Sequence, residues 1–155
     1  MTGLYFHIPF CRHKCLYCDF YTGGERIADW KRFLNCLINE LKERKNEIIS
    51  PVSTIYFGGG TPSLIPSEDL QNFIRQLKDF VDFSLLEEFT IEVNPEDINE
   101  EKIKLWDEIG VNRISVGAQS FIDSELKILG RHHSSELSKK IFWIFPKALG
   151  IFQWI

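Results

Sequence analysis

The sequence predicts an α/β protein built on a parallel sheet. Three observations carry this. Short apolar strands alternate with amphipathic helical stretches four times along the chain. The second and third strands are halted by Gly, Asn or Pro, and the helix after each follows a capping residue. The connections are long enough for crossovers, which in parallel sheets are right-handed.

The elements are expected in this order. Residues 4–8 (LYFHI) form a short buried strand closed by Pro9, so that the following segment is a loop. From Trp30 to Ile48 the apolar residues Trp30, Phe33, Leu34, Leu37, Ile38, Leu41 and Ile48 recur at helical steps, with the KERK run 42–45 as a solvated face. Cys36, at the edge of that stripe, is expected to pack. A second strand, Thr54–Phe57, enters Gly58-Gly59-Gly60-Thr61-Pro62-Ser63, after which Ser67 is placed to cap a helix carrying Leu70, Phe73, Ile74 and Leu77. A third strand, Phe89–Val93, stops at Asn94-Pro95; Asn99 is placed to cap a helix bearing Ile103 and Trp106, and Gly110 to end it. A fourth strand, Arg113–Ala118, leads to a short helix over 123–129 closed by Gly130.

Composition narrows the function. The 155 residues have 44% hydrophobic and 26% charged side chains, and a surface-scaling estimate of about 69% burial on folding allows one core. A net charge of -4 gives no field that would attract nucleic acid or anionic lipid. No basic n-region, transit pattern or membrane-length apolar run is present, and a cytoplasmic location is expected.

Three of the four cysteines, Cys11, Cys15 and Cys18, fall within eight residues. In a reducing compartment such clustering points to a metal or redox site rather than to disulfides. Three soft thiolates spaced C-x3-C-x2-C suit an iron-sulfur cluster with one iron left open; they equally suit zinc, for which His7 or His13 is available as a fourth ligand. The loop alone leaves both readings open.

The surrounding motifs resemble a known family. YFHIPFCRHKCLYCDF, IYFGGGTPSL, FTIEVNPE, GVNRISVGAQSF and LGRHH, in that order over residues 4–133, are similar to the successive motifs of radical S-adenosylmethionine (SAM) enzymes, in the branch of oxygen-independent coproporphyrinogen III oxidases and heme chaperones. The resemblance implies a partial radical SAM (β/α) barrel with about four strand-helix units of the usual six. It implies a 4Fe-4S cluster on Cys11, Cys15 and Cys18 and SAM as cofactor, cleaved to a 5'-deoxyadenosyl radical by an electron from the cluster. Tyr5 and Tyr17 are then expected to flank cluster and SAM, and Gly59, Gly60, Thr61, Glu92 and Gln119 to contact SAM. Arg131 is expected to pair with an acidic group of SAM. Glu92 shares a strand face with Thr90, opposite Ile91 and Val93, which fits a carboxylate aimed at a ligand. His132 and His133, being adjacent, face different ways and are not expected to ligate a metal.

Phe20 stands where the authentic oxidases carry a further cysteine, which points to the heme chaperone branch, with heme or a porphyrin and an electron donor as further partners. The family pattern holds through about residue 140. Residues 141–155 (IFWIFPKALGIFQWI) are apolar at eleven of fifteen positions and lack the family's fifth-strand Asp. They are expected to be a non-native tail from truncation or frameshift, leaving the fourth strand as a bare edge and the ancestral activity impaired. Two rival readings are a cluster or heme carrier without SAM turnover and a zinc-stabilised α/β module.

Overall fold

A computed structural model describes residues 2–25, 28–48, 50–144 and 151–154. Strands β1 (Thr2–Ile8), β4 (Val52–Gly59), β5 (Glu88–Val93), β6 (Arg113–Val116) and β7 (Ile151–Trp154) form one sheet in that spatial order. Every neighbouring pair in it is parallel. The four expected strands are all present, and β1 and β4 run beyond their expected limits because their ladder continues from Thr2↔Val52 to Ile8↔Gly59. A second ladder of two residues each pairs β2 (Phe10–Cys11) with β3 (Gly23–Gly24).

One face of the sheet carries Phe6, Ile8, Ile55, Phe57, Phe89, Ile91, Val93, Ile114 and Val116, all buried. Helices α1 (Trp30–Glu43), α2 (Ser67–Lys78) and α3 (Glu100–Ile109) supply the partner layer through Leu34, Ile38, Phe73, Ile74, Leu77, Leu105 and Trp106. Phe57 lies at the centre, its ring 4.9 Å from Phe6, 5.9 Å from Phe73 and 5.6 Å from Phe89.

The helix ends follow local chemistry with two departures from expectation. Asp29 and Asn99 cap α1 and α3 by accepting from the backbone N–H of Arg32 at 3.0 Å and of Lys102 at 2.8 Å. Gly110 ends α3 at φ +97. Ser67, however, is the first helical residue of α2 rather than its cap; Pro66 holds the extended N-cap position without a side-chain bond, and Glu68 and Asp69 complement the helix dipole instead. Helix α1 stops at Glu43 rather than Ile48, because Arg44 turns back onto Glu40 and Glu47 and a 3-10 turn follows over Lys45–Glu47. Cys36 is exposed, one position outside the Leu34–Ile38–Leu41 stripe, and does not pack as expected.

Helices α4 (Asp123–Ile128) and α5 (Ser135–Ile144) follow β6. The expected bare edge on the fourth strand is not found, since β7 pairs with β6 from Arg113↔Ile151 to Val116↔Trp154. Residues 145–150 and 155 of the expected tail lie outside the described residues. Among the described residues no helix is long and apolar enough to cross a membrane.

Candidate functional site

The opposite face of the sheet is polar. Strand alternation places Tyr5 and His7 on β1, Tyr56 on β4, Glu88, Thr90 and Glu92 on β5, and Arg113 and Ser115 on β6 facing away from the helices. The register joins Tyr5, Tyr56, Thr90 and Arg113 across four strands and sets Glu92 beside Ser115.

At the carboxyl end of this face lies a cleft of about 220 Å³ whose walls include Cys11, Cys15, Tyr17, Cys18, Gly59, Gly60, Thr61, Glu92, Gln119 and Arg131. Every residue expected at the site except Tyr5 is therefore brought together, at the strand ends where parallel sheets hold ligands. Tyr5 sits deeper on the open face and 58% exposed, its hydroxyl 3.1 Å from His7 Nδ1 and its ring 5.9 Å from that of Tyr56.

The cysteine loop is tied down at its base. Pro9 interrupts β1, but the chain resumes as β2, so Cys11 lies on a short strand rather than in the loop proper. Gly23 N–H donates to the Pro9 carbonyl at 2.7 Å, and Thr61 N–H to the Phe10 carbonyl at 2.8 Å. The Phe10 ring packs at 5.0 Å on Trp30 and 5.2 Å on Phe33, fixing the loop to α1. The glycines have a structural reason beyond ligand approach. A Cβ on Gly60 would fall 2.7 Å from the Phe10 carbonyl oxygen, 2.8 Å from that of Ile8 and 2.9 Å from Cys11 Sγ. Gly59 has φ +106.

Glu92 is engaged at both oxygens: Tyr56 Oη donates to Oε1 at 2.6 Å and Gly59 N–H to Oε2 at 3.2 Å. Burial and the bond to Glu92 push the Tyr56 phenol up to about 12. Gln119 holds φ +63, a conformation that non-glycine residues seldom adopt and that concentrates at functional sites.

Arg131 owes its aim to the end of α4. Gly130, at φ +70, donates to the Lys127 carbonyl at 3.2 Å and Arg131 N–H to that of Leu126 at 2.8 Å, a Schellman turn that folds Arg131 back over the cleft. Its guanidinium donates to Asn94 Oδ1 at 2.8 Å, to the Gly117 carbonyl at 2.7 Å and to Cys15 Sγ at 3.4 Å, while its buried Nε has no partner. His133 is buried, bonded at 3.0 Å to the Ala118 carbonyl and 3.5 Å from Glu96; His132 is exposed, its ring 4.1 Å from that of His13.

The thiols interact with one another. Burial raises the Cys11 pKa; a hydrogen bond with Thr61 lowers it, the neighbouring Cys18 and Cys15 raise it, and Arg131 lowers it. Burial and a bond to Cys15 push Tyr17 up to about 12. Among the described residues no three His, Cys, Asp or Glu side chains converge on a single metal ion.

Sequence reasoning missed Tyr56, Ser115 and Asn94. The first two share the strand face of Glu92 and were legible by the same alternation. Asn94 was read only as a strand terminator, yet its side chain meets both Arg131 and Thr61.

Comparison with known proteins settles the family. Residues 5–148 match the profile of the radical SAM superfamily. The chain belongs to the radical SAM superfamily. It is 41% identical over 133 residues to the heme chaperone HemW of Lactococcus lactis, covering 86% of this chain and 34% of that one. It is 39% identical over 153 residues to HemW of Bacillus subtilis, covering 96% and 39%. The oxygen-independent coproporphyrinogen III oxidase of Paracoccus denitrificans is 34% identical over 141 residues, covering 89% and 31%. Among solved structures, the radical SAM enzyme coproporphyrinogen III oxidase of Escherichia coli superposes with a TM-score of 0.81 at 27% identity, covering 90% of this chain and 32% of that one. This radical SAM chain thus spans about a third of the length of the relatives it matches.

Proposed function

We propose that the cleft holds a 4Fe-4S cluster on Cys11, Cys15 and Cys18 and SAM against Gly59–Thr61, Glu92, Gln119 and Arg131, and that the chain is the radical SAM portion of a heme chaperone-type protein. The observation that carries this reading is the convergence of three half-buried thiols with those residues in one cleft. The donor set fits the group. Thiolates of a cluster bind separate irons and need not meet at one point, as ligands of a single zinc ion must. Arg131 adds a cationic N–H beside Cys15 Sγ.

A cluster held by Cys11, Cys15 and Cys18 would supply, when bound, one-electron chemistry toward SAM in the cleft. The chain's own residues bind and orient. Glu92, fixed by Tyr56 and Gly59, presents a charged acceptor to hydroxyl or amine donors. Gln119 offers an amide from a backbone held in the left-handed region. Tyr17, its phenol pushed up to about 12 by burial and a bond to Cys15, lines the cleft from the loop side.

The similarity to heme chaperones and Phe20 in the position of a further cysteine support heme or a porphyrin as the partner rather than coproporphyrinogen oxidation. One observation favours a second reading, a cluster or heme carrier without SAM turnover: the Arg131 fork is already occupied by Asn94, Gly117 and Cys15. The test is electron paramagnetic resonance of the anaerobically reconstituted, dithionite-reduced protein with and without SAM, beside iron and sulfide analysis. A four-iron signal that shifts with SAM is expected. A signal indifferent to SAM, with heme bound on titration, selects the carrier; one zinc per chain and no iron uptake refutes both.

A further inference from the structure

The turn after β5, Asn94-Pro95-Glu96-Asp97, meets each other wall of the cleft. Asn94 takes Arg131 and donates to Thr61 Oγ1 at 3.4 Å; Glu96 faces His133; Asp97 faces the cysteine loop. Of these, the contact of Asp97 joins elements far apart in sequence through a carboxylate nearly withdrawn from solvent. Its Oδ1 lies 2.9 Å from Arg12 Nη1, and the two side chains are 2% and 40% exposed. Its Oδ2 accepts from Ser63 Oγ at 2.7 Å, and Ser63 in turn offers its backbone carbonyl to the Lys102 ammonium. Arg12 also donates to Glu25 Oε2 at 3.3 Å, so the guanidinium bridges the two ends of the cysteine loop while gripping the body of the fold.

We infer that the Arg12–Asp97 pair is a latch that fixes the cysteine loop against the cleft, making Arg12 a positioning residue for whatever Cys11, Cys15 and Cys18 bind. Arg12 directly follows Cys11, so the backbone that the guanidinium anchors lies one peptide unit from that of the thiol. The hydrogen-bonded base of the loop holds residues 9–11 and 23; within the span from Arg12 to Cys18 the backbone bond from Cys18 N–H to the Cys15 carbonyl at 3.1 Å is internal, so side chains such as Arg12 tie that span to the body of the fold. A planar fork with one donor on Asp97 and one on Glu25 fixes direction as well as distance, which a lysine does not. The effect on a bound cluster rests on the proposed function above; the effect on the free thiols does not.

Removing Arg12 is the cleaner perturbation. Asp97 keeps the Ser63 hydroxyl and the nearby positive charge of Lys102, so no buried carboxylate is stranded. In Asp97→Asn, by contrast, Arg12 and Lys102 would lose the carboxylate they share. The test therefore compares the wild-type chain with Arg12→Gln and Arg12→Lys, metal-free, reduced and anaerobic. Alkylation by iodoacetamide is followed at each cysteine by mass spectrometry, with exposed Cys36 as internal reference. In Arg12→Gln, Cys11 and Cys15 are expected to react about fivefold faster relative to Cys36, as local opening of the loop becomes easier. Arg12→Lys is expected to fall between the two. After iron and sulfide loading, the cluster absorbance of Arg12→Gln is expected to decay in air about fivefold faster than that of wild type. Equal alkylation rates in Arg12→Gln and wild type overturn the latch. So does loss of the cooperative thermal transition in Arg12→Gln, which would make Arg12 a determinant of the whole fold. Faster alkylation in a protein whose wild type takes up no iron leaves the latch standing and removes the cluster reading instead.

Discussion

The two faces of the sheet are made by the same strands and follow opposite rules. Toward the helices, β1, β4, β5 and β6 present Phe6, Ile55, Phe57, Phe89, Ile91 and Ile114, all buried. Away from them the same strands present Tyr5, Tyr56, Thr90, Glu92, Arg113 and Ser115, joined by bonds such as Thr90 Oγ1 to Glu88 at 2.7 Å and Arg113 Nη1 to Glu88 at 3.2 Å. Parallel strands covered by helices on both faces read as continuous apolar runs. Alternation in a parallel sheet therefore marks a face kept for something other than a helix, and here that face ends in the cysteine cleft.

The comparison can be broken most forcefully on the apolar side. Phe57→Ala should cost about 3–5 kcal/mol, since a fully buried ring among Phe6, Phe73 and Phe89 leaves a cavity. Denaturant unfolding checks this, and a loss under 1 kcal/mol would show that the apolar face is not the core. Next comes the junction of the faces. Gly60→Ala puts a methyl against two backbone carbonyls and Cys11 Sγ, and should cost about 1–3 kcal/mol while lowering iron uptake, because the cysteine loop must shift to admit it.

The polar face should respond less. Thr90→Val keeps shape and removes one hydroxyl, leaving Arg113 and Glu88 still paired; about 1 kcal/mol is expected in the same unfolding assay. The smallest effect is confined to alkaline pH. Tyr56 is raised from 10.0 to about 12 by burial and Glu92, so the folded state binds its proton more tightly than the unfolded one. That contribution is complete below pH 10 and is lost as pH rises toward 12. In wild type the tyrosinate absorbance should show two phenols titrating near 12, Tyr17 and Tyr56, of which Tyr56→Phe leaves one; an unchanged titration would contradict the Glu92 bond.

Much of this contrast was legible in the sequence because both faces rest on period two. Glu92 beside Thr90, with Ile91 and Val93 opposed, was read correctly from alternation alone, and the cysteine and glycine motifs placed the cleft. What escaped depended on contacts between distant segments. Nothing local in Asn94-Pro95 distinguishes a strand stop from a hub that holds Arg131 and Thr61. Ser67 follows a proline that took the capping position, and Cys36 lies one helical step outside its stripe. The bare edge expected on β6 presumed that the apolar segment after residue 140 could not add a strand, whereas Ile151–Trp154 does.

The Schellman turn that aims Arg131 at Cys15 joins residues 116 positions apart. At synthesis rates of about 5–20 residues per second, roughly 6–23 s separate the emergence of Cys15 from that of the guanidinium that covers it. During that interval the nascent chain carries three thiols without their cationic neighbour. Any oxidant present at the ribosome meets these thiols before the Arg131–Cys15 contact can form.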